Sequence, residues 1–78
     1  MRARKRRLIV AFHTTHDAMA FEDYCATRRA EGRLIPLPRE ISAGCGLAWS
    51  APPGHAESVR ALLEAAGITP QHMKELDI

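Results

Sequence analysis

The sequence predicts a small α+β domain of ferredoxin-like type, with the order β-α-β-β-α-β, an antiparallel sheet and two helices on one face. Three observations carry that prediction. The short continuous apolar run Arg7-Leu8-Ile9-Val10-Ala11-Phe12 suits a strand in the middle of a sheet. Val59, Leu62, Leu63 and Ala66 recur at i, i+3, i+4 and i+7, the clearest amphipathic pattern in the chain. Between them, Arg33-Leu34-Ile35-Pro36-Leu37-Pro38 reads as extended. Each proline there removes a ladder donor, which places this strand at a sheet edge, as the ferredoxin-like order requires of its second strand.

Taken in order, the first strand is broken by His13-Thr14-Thr15-His16. Thr14, followed three residues later by Asp17, has capping-box spacing, in which a hydroxyl and a carboxylate satisfy free amides of a helix's first turn. The helix is predicted from Thr15 to Glu31, ending at Gly32. Its inward stripe is Ala18, Phe21 and Cys25, flanked by Met19 and Tyr24. After the proline-bearing strand and a loop, Leu47-Ala48-Trp49-Ser50 forms the third strand, with Trp49 packing in it. Pro52-Pro53-Gly54 opens a helix from His55 to Ala66, stopped by Gly67. Gln71 to Ile78 is read as a final strand, a short helix being the other option. No internal repeat or linker interrupts residues 1–78, which are expected to form a single domain with a basic arm over 1–7.

Composition bounds the function. The chain has 78 residues, and its 46% hydrophobic content is rich in alanine, leaving a thin core that makes oligomerisation plausible. The net charge is +2, yet Arg2, Arg4, Lys5, Arg6 and Arg7 are all basic; without them the remainder carries 6 − 9 = −3. A basic arm on an acidic body argues against a general nucleic-acid surface. The arm is expected to be solvated and to run partly into the first strand, with RNA or an acidic partner as its other uses. Nothing reaches the length of a membrane span, no signal peptide is recognisable, and two cysteines make no disulfide framework; a reducing cytoplasm is expected.

The chemistry is concentrated in Pro36-Leu37-Pro38-Arg39-Glu40-Ile41-Ser42-Ala43-Gly44-Cys45-Gly46-Leu47. Glycines on both sides let the backbone turn tightly and leave the Cys45 thiol uncovered. A nucleophilic cysteine needs thiolate character, which cations, imidazoles and pointing amides supply. The Gly44-Cys45-Gly46 backbone could form a nest of N–H groups suited to an anion. Topology puts the loop after the first strand, the loop between the second and third, and the start of the fourth at one rim, which gathers His13, His16, Arg39, Cys45 and His72. Cys45 is therefore read as the working thiol, with Arg39 and His16 assisting it and Gly44, Gly46, Ser42, Thr15 and His13 as surrounding loop residues.

Other readings compete. Cys25 lies on an apolar helical stripe and is expected in the core. Arg39 could instead form a surface salt bridge with Glu40 or a helix carboxylate. His13, His16 and Cys45 could supply three metal ligands, short of the usual four, so no metal or cofactor is expected. Trp49 alone makes no base-stacking platform. With no Cys-x-x-Cys, a self-contained dithiol oxidoreductase is not expected, and there is no Gly-rich phosphate loop or carboxylate dyad.

Thr15-His16-Asp17-Ala18-Met19-Ala20-Phe21-Glu22 and the run from Arg33 to Ala48, above all Ile41-Ser42-Ala43-Gly44-Cys45-Gly46-Leu47 after Pro36-Leu37-Pro38-Arg39-Glu40, closely resemble the small bacterial DUF3343 domain. That family is described as selenium/sulfur (Se/S) carrier protein-like, and the resemblance spans roughly Leu8 to Pro70. It implies that Cys45 matches the family cysteine and that Arg39 belongs to the motif leading to it. It departs from the family pattern at Trp49, where an aliphatic residue is expected, and in its longer basic arm. The carrier reading has Cys45 hold sulfane sulfur or selenium as a persulfide or selenopersulfide, taken from a persulfide donor protein and passed to an acceptor protein. Such a shuttle is more a carrier than an enzyme. The alternative is a partner-binding or redox-sensing module whose Gly-Cys-Gly loop is a docking site, with metal handling through His13, His16 and Cys45 behind it.

Overall fold

The computed structural model describes residues 4–78; Arg2 of the basic arm lies outside them. The order is β1 (Arg6–Ala11), α1 (Thr15–Thr27), β2 (Arg33–Pro36), β3 (Leu47–Ala51), α2 (Ala56–Ala66) and β4 (His72–Asp77). The strands form one antiparallel sheet in the order β2-β3-β1-β4, the ferredoxin-like arrangement. β2 is an edge strand, as Pro36 demands, and it ends there, two residues short of the predicted Pro38, which falls in the loop. The final segment is a strand, paired along the whole of β1.

Alternation along β1 builds two cores. Leu8 and Val10, with Phe12 just past the strand, face α1 and α2; they pack with Phe21, Cys25, Trp49, Val59 and Leu63. Ile9 and Ala11 point the other way and pack with Ala48 and Ile41. The apolar run is continuous because both faces of the central strand are covered. Covering the second face is the long β2–β3 loop, whose Leu37, Ile41 and Ala43 lie against it.

Aromatic packing explains Trp49. It is buried, meets Phe21 edge-to-face with centroids 5.4 Å apart, and lies under the backbone of Gly32. A Cβ on Gly32 would come within 2.5 Å of the indole, and its φ of 143° also excludes ordinary side chains. The edge-to-face pair adds about 0.5–1.5 kcal/mol beyond its buried area, which an aliphatic residue could not supply.

α1 starts as predicted. The Thr14 hydroxyl accepts the Asp17 N–H at 3.1 Å, and Ala18, Phe21 and Cys25 are buried. It stops at Thr27, four residues before the predicted Glu31. Arg29 adopts a left-handed φ of 54°, the Ala30 N–H donates back to the Cys25 carbonyl at 3.0 Å, and the chain turns away before Gly32. Met19, expected to flank the apolar stripe, is instead largely exposed. Tyr24 is half-buried and carries the Arg28 guanidinium 3.5 Å above its ring. α2 buries Val59 and Leu63 and ends at Gly67 with φ 73°.

The described part of the arm runs into the first strand with Arg4, Lys5 and Arg6 exposed. Lys5 and Ile78 exchange backbone hydrogen bonds of 2.9 and 3.0 Å, which extends the β1–β4 ladder beyond Arg6. Arg6 pairs with Glu75 at 3.4 Å and Asp77 at 3.5 Å. The Gly54 N–H, 2.9 Å from Glu75, and then Arg6 hold the Glu75 carboxyl below its ordinary value. Among the described residues, no helix is long and apolar enough to cross a membrane.

Candidate functional site

The β2–β3 loop is tied at its base by the Leu37 N–H, which donates to the Gly46 carbonyl at 2.9 Å. A turn at its tip, Ile41 N–H to Pro38 carbonyl at 3.1 Å, reverses the chain and presents Arg39 and Glu40 to solvent. The ends are thus close together while Ile41 anchors the middle into the second core, the build of a compact Ω-type loop.

Its return limb is clamped to the rim predicted from topology. The Gly44 N–H donates to Gln71 Oε1 at 3.0 Å, and the Gln71 N–H donates to the Ala11 carbonyl at 2.8 Å. His72 Nε2 lies 3.0 Å from the Ser42 carbonyl. A Cβ on Gly44 would sit 2.7 Å from the His13 carbonyl oxygen, so only glycine allows this approach. The rim therefore joins the His13 backbone, Ser42, Gly44, Gln71 and His72. Gln71 did not stand out in the sequence, because a lone glutamine outside any motif carries no signal.

Cys45 itself is not uncovered. It is 4% exposed and packs in the helix-facing core. Its Sγ lies 3.1 Å from the Leu47 carbonyl, to which the thiol donates, and 3.4 Å from the Leu47 N–H, which donates to it. The expected N–H nest is not formed either. Neither Gly44 nor Gly46 has positive φ, whereas a nest needs alternating hands, and the Gly44 amide is already taken by Gln71. Gly46 differs from Gly44 in having no atom within 4 Å of a would-be Cβ, so space next to the cysteine is open on that side.

The other predicted residues lie around this frame without touching the sulfur. Both polar contacts of Cys45 are with Leu47, and none comes from Arg39, His13 or His16. His13 precedes the helix cap, Thr15 and His16 occupy the first turn of α1, and all three are exposed. Arg39 forms no ion pair among the described residues, which sets aside the salt bridge with Glu40 or a helix carboxylate. No three histidine, cysteine or acidic residues gather at metal-binding distance among the described residues, so His13, His16 and Cys45 do not form the three-ligand set.

Cys25, the other free cysteine, is fully buried in α1. Burial pushes its thiol up to about 11, against a smaller opposing pull from Arg28. It is held as a neutral thiol at ordinary pH and serves the core.

The chain matches the family model described as "Putative Se/S carrier protein-like" over residues 7–75, which includes both helices and the whole cysteine loop. No curated protein and no solved structure matches it. The chain belongs to this Se/S carrier-like family.

Proposed function

We propose that the protein carries sulfane sulfur or selenium on Cys45 and passes it between two partner proteins. In loading, the Cys45 thiolate attacks the outer sulfur of a donor persulfide. The donor's S–S bond breaks, its thiolate leaves, and the new bond gives Cys45-S-SH without any outside oxidant. In delivery an acceptor thiolate attacks that outer sulfur, and the Cys45 thiolate is the leaving group. Selenium follows the same path as Cys45-S-SeH.

The observation that carries this reading is family membership across the segment that holds a free cysteine. Supporting it is the open space beside Gly46, on a loop held by one backbone bond at its base and by the Gln71 and His72 side chains at the rim. Reaching the sulfur requires that the return limb shift when a donor docks. Arg39, exposed at the loop tip, and His16, in the first turn of α1, are the groups assigned to stabilise the thiolate or the incoming cargo in that shifted state. Ser42, Thr15, His13, Gly44 and Gly46 shape the surrounding surface.

The burial of Cys45 favours a second reading, a partner-binding or redox-sensing module in which the cysteine packs the loop. The two readings part in one experiment. Protein incubated with a low-molecular-weight persulfide is trapped with an alkylating agent and weighed intact without reductant. The carrier gains a reductant-labile sulfur on Cys45, absent from Cys45→Ser. Protein that never loads, or loading that survives in Cys45→Ser, overturns the carrier; partner binding that survives Cys45→Ser supports the module.

A further inference from the structure

The β2–β3 loop covers only the rim end of the second sheet face. At the other end the face is open, and a groove of about 910 Å³ is lined by Arg4, Lys5, Arg7, Arg33, Ile35 and Ser50, among others. Among the described residues that line it, no side chain is acidic. Strand alternation produces this sorting. Arg6 points to the helix side and finds Glu75 and Asp77, while Lys5 and Arg7 point into the groove.

Arg7 is the fixed member. Its Nε donates to Ser50 Oγ at 2.9 Å and its Nη2 to the Ser50 carbonyl at 3.3 Å, and the side chain is partly buried. Ser50 is itself 3% exposed. Among the described residues Arg7 has no carboxylate partner. A partly buried guanidinium held in one orientation, with N–H groups to spare, matches an incoming carboxylate or other planar anion. Arg33 is paired with Ser50 across β2 and β3, so it projects from the same face, about 10 Å (two strand spacings) from β1. Two guanidiniums thus flank Ser50, with Lys5 and Arg4 at the margin.

We infer that this groove is a docking site for an acidic segment of a partner protein, at the opposite end of the sheet from Cys45. Charge complementarity selects the occupant. An extended peptide advances about 10 Å in three residues, so acidic side chains within one short segment reach both guanidiniums, and Ile35, two residues along β2 from Arg33, adds an apolar patch to the floor. Among the described residues that line the groove no side chain is aromatic, so they offer none of the stacking that single-stranded nucleic acid uses. Outside the arm the chain has a net charge of 6 − 9 = −3, which repels a long polyanion beyond the groove. The inference stands apart from the thiol chemistry.

The test is fluorescence anisotropy with a labelled short polyglutamate peptide and, separately, a labelled oligouridine of equal charge. The expected result is salt-sensitive peptide binding that weakens about tenfold or more in Lys5→Gln/Arg33→Gln and stays unchanged in Cys45→Ser. The exposed pair is chosen because Arg7→Gln also removes a structural contact. Peptide binding that is absent, or indifferent to Lys5→Gln/Arg33→Gln, overturns the inference. So does oligouridine binding tighter than the peptide, which makes the groove a nucleic-acid site. Peptide-independent self-association lost in the same variant also overturns it, because the occupant is then a second copy of this chain.

Discussion

Cys25 and Cys45 lie in the same apolar cluster, yet they are built to different ends. Cys25 sits inside a helix, its backbone committed to helical and capping bonds, and burial holds its thiol neutral. Cys45 sits at the junction of a clamped loop and a strand, its sulfur against the backbone N–H and carbonyl of Leu47, with open space beside the next glycine. The difference teaches that two cysteines both buried at rest need not be equally hard to uncover. What separates them is the cost of exposing the sulfur. Uncovering Cys25 means unfolding a helix, whereas uncovering Cys45 means moving one limb of a loop.

The largest expected effect breaks the comparison outright. Cys45→Ser abolishes persulfide loading, whereas Cys25→Ala keeps it and loses about 1–3 kcal/mol of stability by urea unfolding, the cost of a small core cavity. Loading that depends on Cys25 instead would reverse the assignment.

Alkylation rates in the native state come next. At pH 8 only about a thousandth of Cys25 is thiolate, given a thiol at about 11. Cys45 is expected to label at least about tenfold faster, read by peptide mass after a timed quench. Equal rates would mean that both sulfurs wait for global unfolding.

The flanking glycines sharpen the picture further. Gly44→Ala drives a methyl against the His13 carbonyl and is expected to cost about 1–3 kcal/mol, while Gly46→Ala stays within about 0.5 kcal/mol. If Gly46→Val folds normally yet slows loading, the open space is the approach path; if loading is unaffected, donors reach the sulfur from another side.

Cys25 also leaves a pH signature. Its thiol is neutral in the fold up to about 11 but ionises in the unfolded chain near 9.0, so the unfolded state binds fewer protons between those values. Stability is therefore full below about pH 9 and falls as pH rises towards 11. That slope should vanish in Cys25→Ala, measured as the urea midpoint against pH.

The smallest effect concerns the helix end that frames Cys25. Arg29 occupies a left-handed position that Gly67 fills at the end of α2. Arg29→Gly removes that strain, offset in part by extra unfolded-state entropy, for a gain of about 0.5–1 kcal/mol in thermal or urea unfolding.

Much of this was legible in the residues. The apolar run of β1, the heptad-like pattern of α2, the Thr14 cap and the edge prolines each report a local preference that the fold agrees with. The rim was legible too, since topology alone puts the β1–α1 turn, the β2–β3 loop and the start of β4 at one end. The covering of Cys45 was not. Flanking glycines describe what a backbone is free to do, and here Gly44 uses its missing Cβ to approach His13 instead of turning sharply. Nor was the role of Ile41, whose isolated apolar side chain reads as a loop residue until the second sheet face is there to receive it.

By itself the sequence determined the order of elements, the edge position of β2, the core placement of Cys25 and the membership of the cysteine loop in a carrier-like family. These follow from periodicity, proline chemistry and motif, which act over a few residues. Tertiary structure decided the early end of α1, the burial of Cys45, the clamp from Gln71 and the gathering of Arg7 and Arg33 around Ser50. Each depends on which side chains distant in the chain meet across the sheet, and register sets that only once the strands have paired.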